Sequence, residues 1–356
     1  MFQTSAGYLA GRDRLPTSLR AVLGYYADSG VFDYRSLQLQ RRIDDATDAI
    51  VADAFAAVEE AIAEEFDREF VEFSYDTKLV LPAELTLGYL YRQLEEPEYD
   101  DAEAVTQLVI EALIDGDMRD AVNDDEFDDF EVDFPVDESD RRRVAEVAQA
   151  TLEARVTAQF ESYPDAVRDA YDWAVDISER HQDEDDHFRA LMAAAQGENT
   201  SHTPAEARER IREEYKDADF ADPPAIFDEE LDLPYFKTQY DRVGVIYSGM
   251  VEMYREAGLP VEEAFEKSIV LAIIGAQIWL DDIDDFQADM EGGQLTPVTA
   301  EYLLADDDAT AATRAVDISE QYLDLAKAHA TTVDSTLTGI ATEYIYRSGD
   351  PSVLPR

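Results

Sequence analysis

The stretch IVLAIIGAQIWLDDIDDFQADMEGGQLTP, residues 269–297, decides how this chain is read. Its first part, 269–280, carries no charge. It is too short to cross a bilayer, which takes about 20 apolar residues, so it reads as a buried core helix. The second part turns acidic, with Asp281, Asp285 and Asp289 recurring at i, i+4 and i+8. On a helix that spacing stacks three carboxylates on one face, where they repel one another unless a cation sits among them. Hard oxygen ligands at the end of an apolar helix suit Mg2+, which keeps some of its water and bridges to phosphates. Gly292-Gly293 then stops the helix and Pro297 opens the next.

Outward from this stretch the 3.6-residue period dominates. Helices are predicted over 17–27, 34–70, 82–94, 101–122, 140–161, 164–182, 204–216, 235–258, 260–290, 299–304, 308–330 and 335–347. The stripe Ile43, Ile50, Ala54, Val58 and Ile62 marks the long second one. Residues 70–81, aromatic and β-branched, predict a short hairpin or an extended link. Two acidic stretches, 123–140 and 183–234, predict long surface loops. In the first, Phe127, Phe130 and Phe134 act as anchors; in the second, 183–187 reads as a solvated stretch, with a carboxylate–histidine metal site at His187 as its alternative. His181 and His202 carry no functional expectation. The fold class is all-α, a single large bundle with acidic loop insertions. Residues 1–95 form a helical portion that could be an added subdomain, and 96–356 the core.

The formal charge is −53, from 82 acidic and 29 basic side chains, and 24 of the basic ones are Arg. Such self-repulsion opposes a compact state unless salt screens it; at 1 M the Debye length falls to ~3 Å. An acidic, Lys-poor chain of this kind reads as halophilic, of the haloarchaeal type. A phosphate backbone needs a basic footprint, so nucleic acid is not an expected partner. The chain has no Cys, which excludes disulfides, thiolate metal sites and cysteine nucleophiles. Residues 1–16 lack an apolar signal-peptide core, no segment is long enough to span a membrane, and the expected location is cytoplasmic. Neither a glycine-rich phosphate loop nor a nucleophile elbow is present.

With Gln277 on the apolar helix, Asp281-Asp282-x-x-Asp285, Asp285-x-x-x-Asp289, Gly293 and Pro297 on the page, the segment resembles the second aspartate-rich motif of class I isoprenoid synthases. These are the trans-prenyl diphosphate, squalene–phytoene and terpene synthases. The resemblance implies a helical bundle in which Asp281, Asp285 and Asp289 hold Mg2+ against an allylic prenyl diphosphate, with Gln277 one turn back at the pocket floor. Gln277 stands four residues before the first Asp, one more than in the diphosphate synthases. The family also implies a facing first motif on an earlier helix. Asp115, Asp117 and Asp120, at the end of an apolar helix, are preferred over Asp44-Asp45-x-x-Asp48, which lies too early in its own helix. Lys237, Arg242 and a C-terminal Arg347, near Tyr344 and Tyr346, are the cations available to a diphosphate. Trp279 and Phe286, with Phe236 and Tyr247, are aromatics that could line the pocket and meet an allylic cation.

The expected activity is Mg2+-assisted ionisation of the allylic diphosphate, leading to cyclisation or prenyl transfer. Family members are often dimers, which allows a homodimer. The alternative, from another class, is a non-catalytic helical protein of the same fold that binds a lipid or a protein partner. A helical assembly protein whose acidic runs only hold water and salt is the third reading.

Overall fold

A computed structural model describes residues 2–11, 15–31, 34–124, 127, 130–198 and 202–356. Among the described residues the chain is all-α apart from one two-stranded ribbon. In order it forms α1 (Phe2–Ala10), α2 (Thr17–Ser29), α3 (Tyr34–Glu65), β1 (Phe73–Tyr75), α4 (Leu81–Gln93), α5 (Tyr99–Asp124), β2 (Phe130–Val132), α6 (Glu138–Phe160), α7 (Asp165–Gln182) and α8 (Asp185–Gln196). Then come α9 (Pro204–Ile211), α10 (Phe236–Gln239), α11 (Val245–Glu256), α12 (Glu263–Ala276), α13 (Phe286–Gly292), α14 (Pro297–Leu304), α15 (Asp308–Thr332) and α16 (Thr336–Ser348).

The chain weaves through two compact units. The first contains Met1–Asp33, Asp172–Gly249 and Glu262–Arg356; the second contains Tyr34–Tyr171 and Met250–Val261. Residues 1–95 are thus shared between them, with 1–33 in the first and 34–95 in the second.

In the first unit α12 is the central helix and lies along α15. Their approach requires Gly275, because a Cβ there would come within 2.8 Å of Leu323 Cδ2. Ile269, Val270, Leu271 and Ile274 are buried on α12, as the uncharged run predicts. Local signals explain the ends. Thr296 and Thr299 form a reciprocal cap with Pro297 at the start of α14, and Asp307 caps α15 by accepting from Thr310 N. Gly293 ends α13 in the left-handed region, at φ 70°.

The second unit packs α3, α4, α5 and α6 together. The strand expected near 70–81 exists, but its partner is not a hairpin neighbour. β1 pairs antiparallel with β2, Phe73 opposite Val132 and Tyr75 opposite Phe130. β2 comes from the acidic stretch 123–140, where Phe130 stacks on Phe73 and Phe134 packs on Phe66. Those phenylalanines anchor the stretch; residues 125, 126, 128 and 129 lie outside the described ones.

The long loop expected over 183–234 is instead largely helical. It contains α8, whose apolar residues Phe188, Leu191, Met192 and Ala195 recur at helical spacing and are buried, and α9, started by a capping box between Thr203 and Glu206. Its residues 199–201 lie outside the described ones. The helices expected over 204–216, 235–258 and 260–290 are each interrupted by a π-helical turn, at Arg212–Lys216, Tyr240–Gly244 and Gln277–Asp282.

A polar centre where three π-helical turns meet

A π-helical turn bonds i to i+5, so it takes one more residue than an α-helical turn and rotates every later side chain. In 277–282 this changes which aspartate faces inward. Asp282 is 3 % exposed, whereas Asp281 and Asp285 are exposed and Asp289 is half-buried. The single carboxylate face expected from the i, i+4, i+8 spacing is therefore split, and Asp282, which that spacing passed over, takes the buried position.

The other two π turns supply its neighbours, all within the first unit. Arg212–Lys216 presents Tyr215, which is buried and donates its hydroxyl to Leu295 O at 2.9 Å. Tyr240–Gly244 presents Arg242, three residues after Gln239, whose Nε2 donates to the Tyr215 hydroxyl at 3.4 Å. Arg189 and Gln196 on α8 donate to Gly292 O and Met290 O, which seats α8 beside α13. Asp185, in the first turn of α8, is thereby brought to the same centre.

The electrostatics tie the group together. Burial pushes the Asp282 carboxyl up to about 7; Arg242 and the Gln277 amide pull it back, while Asp289 and Asp281 push further. Asp289 rises to about 6, from burial and then from Asp285, against Arg242 and Arg189. Burial works to lower the Arg242 guanidinium, but Tyr215, Asp282, Asp185 and Asp289 outweigh it and keep it charged. Arg242 thus stands within electrostatic reach of carboxylates from two separate helical segments. Two buried acceptors here have no hydrogen-bond partner, Asp282 Oδ2 and Gln239 Oε1. Such atoms cost roughly 1–3 kcal/mol each when left unpaired.

Buried ion pairs hold the scaffold. Glu301, fully buried, accepts from Lys216 at 2.6 Å and from the Tyr235 hydroxyl at 2.7 Å. Tyr235 N in turn donates to Lys216 O at 2.6 Å. This clamp ties the turn carrying Tyr215 to α10, and it holds Tyr235 at φ 65°, a region that a bulky residue rarely enters.

The remaining expected residues fall as follows. Gln277 donates to Asp282 Oδ1 at 3.5 Å, so it supports the buried carboxylate. Lys237 pairs with Asp241 at 3.2 Å and reaches Glu184 at 3.7 Å. It also lines a groove of ≈ 480 Å³ together with Glu184, His187 and Glu214. His187 bonds Glu214 at 2.8 Å. Trp279 is buried, donates its indole N–H to Tyr346 O at 3.0 Å and stacks on Tyr346. Phe286 packs on Tyr302, ring centroids 4.2 Å apart. Arg347 pairs with buried Glu343 at 2.6 Å and donates to Ala10 O, which closes the end of α1.

Both expected first motifs lie in the second unit. Asp115 is buried there, accepts from Arg119 at 2.7 Å and Gln149 at 3.2 Å, and is raised to about 6 by burial. Asp117 accepts from the Tyr75 hydroxyl, and Asp120 is likewise engaged. In the alternative set Asp44 accepts from Gln40, while Asp45 and Asp48 are exposed.

The donor chemistry for Mg2+ is present at Asp282, a carboxylate with one buried, unpartnered oxygen and other carboxylates close by. Among the described residues, no group of three or more His, Cys, Asp or Glu side chains is already assembled to hold a metal ion. No known family model and no curated protein matches this chain.

Proposed function

We propose that this chain is a Mg2+-dependent enzyme of the class I isoprenoid synthase type that ionises an allylic prenyl diphosphate at the Asp282–Arg242 centre. The reading rests on one observation. Within a single compact unit, Asp185 on one side and Asp282 and Asp289 on the other share the charge of Arg242, and a buried Asp282 oxygen waits without a partner. A carboxylate set beside a guanidinium matches the two halves of a metal–diphosphate head: the acids take cations and the arginine takes phosphate oxygens.

In this reading Asp282 and Asp289 are the inner ligands, Asp281 and Asp285 stand at the rim, and Asp185 serves from the opposite helix. When bound, Mg2+ would neutralise charge on the leaving diphosphate. Arg242 donates to the diphosphate oxygens, and Lys237, beside it, adds positive charge at the edge of the groove. Trp279 and Phe286 act through packing, fixing the segments on either side of the aspartates against α16 and α14. The composition belongs with a cytoplasmic protein working in molar salt.

The test is release of inorganic diphosphate from allylic diphosphates of increasing chain length, in molar KCl, with and without Mg2+. Mg2+-dependent release is expected, lowered about a hundredfold or more in Asp282→Asn and Arg242→Gln, as for lost transition-state charge stabilisation. Absence of release in protein shown to be folded would sink the catalytic reading in favour of the non-catalytic alternative, a helical protein that binds a lipid or a protein partner.

A further inference from the structure

Gln239 carries a buried amide that the diphosphate chemistry above leaves unused. It is the last residue of α10, stands at the entry to the π-helical turn that presents Arg242, and is fully enclosed. Its Nε2 donates to the Tyr215 hydroxyl at 3.4 Å, while its Oε1 has no hydrogen-bond partner.

Proton counting fixes the orientation of that amide. A tyrosine hydroxyl has one proton to give. Tyr215 gives it to Leu295 O at 2.9 Å, so its oxygen is left to accept, and the group that Gln239 turns toward it must be the NH2. A flipped amide would set carbonyl oxygen against phenol oxygen with no proton between them. The carbonyl oxygen of Gln239 is thereby held away from Tyr215 as an acceptor of fixed direction.

Tyr215 also places the amide. After burial, the charges that act most on its hydroxyl are Arg242, Asp282 and Asp185, so the amide stands one hydrogen bond from the same centre. Two buried acceptors there lack donors, the charged Asp282 Oδ2 and the neutral Gln239 Oε1. Mg2+ takes few carboxylates from a protein and keeps several of its waters, and the protons of those waters need acceptors. A carboxylate oxygen for the ion and a carbonyl oxygen for its water are the two kinds of group that such a hydrated cation requires.

We propose that Gln239 is a positioning residue of this centre: its Oε1 accepts a hydrogen bond from a water of the bound Mg2+, and Tyr215 holds it in the direction to do so. The inference rests on the Mg2+ reading of Asp282 and adds to it an outer partner from a different helix. Outer partners of this kind carry roughly 10- to 100-fold in metal affinity.

The experiment is binding of Mn2+ to the full chain, without substrate, followed by the electron paramagnetic resonance signal of the free ion with Mg2+ as competitor. Molar KCl screens the diffuse acidic surface. Wild type is expected to bind Mn2+ and Asp282→Asn to lose it. Gln239→Met should lower the affinity roughly 10- to 100-fold. Its metal-free melting temperature should not change, because exchanging a buried unpaired acceptor for an apolar group of similar shape is nearly neutral. Wild-type affinity in Gln239→Met, with Asp282→Asn still defective, would overturn this inference and leave the Mg2+ reading standing. No binding by wild type, or undiminished binding by Asp282→Asn, would overturn the Mg2+ reading itself and the inference with it. Should Gln239→Met lose affinity and also melt lower without metal, Gln239→Glu decides, since it keeps an acceptor oxygen. Affinity restored in Gln239→Glu supports the proposal, and affinity as low as in Gln239→Met refutes it.

Discussion

His181 shows how far a single side chain's behaviour depends on its surroundings. It is buried against Phe188, ring centroids 5.9 Å apart, and its Nδ1 has no partner. Burial, then Arg242 and Lys237, push its pKa from 6.5 down to about 4. Between those values the unfolded chain binds a proton that the folded chain refuses, so stability falls as pH drops through that window and the effect saturates below it. The loss is expected to reach about 3 kcal/mol. Melting curves in molar KCl at a series of pH values should show a shallower acid dependence for His181→Phe than for wild type; parallel curves would contradict the assignment. Arg347 shows the converse. Its pairing with Glu343, four residues earlier, was readable as a helical i, i+4 pair, but the burial of Glu343 that makes Arg347 a structural clamp was not.

At the scale of elements, the helices were readable and their interruptions were not. Apolar periodicity placed α3, α5, α6, α7, α15 and α16 within a few residues of their observed ends, apart from the last turn of α3. A π-helical turn inserts one residue into such a pattern, and in 269–280, apolar all round, there is no stripe whose rotation would betray it. That one-residue shift is why Asp282 rather than Asp281 is buried. Helix α8 was hidden by the acidic run before it, although Phe188, Leu191, Met192 and Ala195 carry the helical spacing. Packing of α12 on α15 gives a sharp test. Gly275→Ala should gain up to about 1 kcal/mol in helix propensity, yet its Cβ would press on Leu323 and Tyr322. A net destabilisation of roughly 1–3 kcal/mol is expected from overpacking, read as a lower melting temperature; a rise would show that the contact relaxes freely.

For the whole molecule the dominant quantity is the charge of −53. Lys216 pairs with buried Glu301, Lys267 with buried Glu230 and Lys327 with buried Glu343, so all five lysines but Lys78 and Lys237 are spent on buried acids. With 82 acidic against 29 basic side chains, most carboxylates have no cation of the chain to neutralise them. Screening must therefore come from solution, and the melting temperature is expected to rise steeply with KCl and equally with NaCl. Sucrose at matched osmolarity should not reproduce it, because it leaves the Debye length unchanged. A salt-independent melting curve would refute the reading of the composition. The interleaving of the two units is also a property of this scale: 250–261 clusters with 34–171, far from it in sequence, and no local signal marks that return.

Composition, helical class, the core character of 269–280 and the acidic end of that segment followed from the sequence alone, because periodicity and charge are local properties of the chain. Which carboxylate is buried, which cation stands beside it, and that Asp185 rather than Asp115 shares its unit were decided only by tertiary structure. Those relations depend on turns that shift the register by one residue and on contacts between residues about a hundred positions apart, and neither leaves a mark on local spacing.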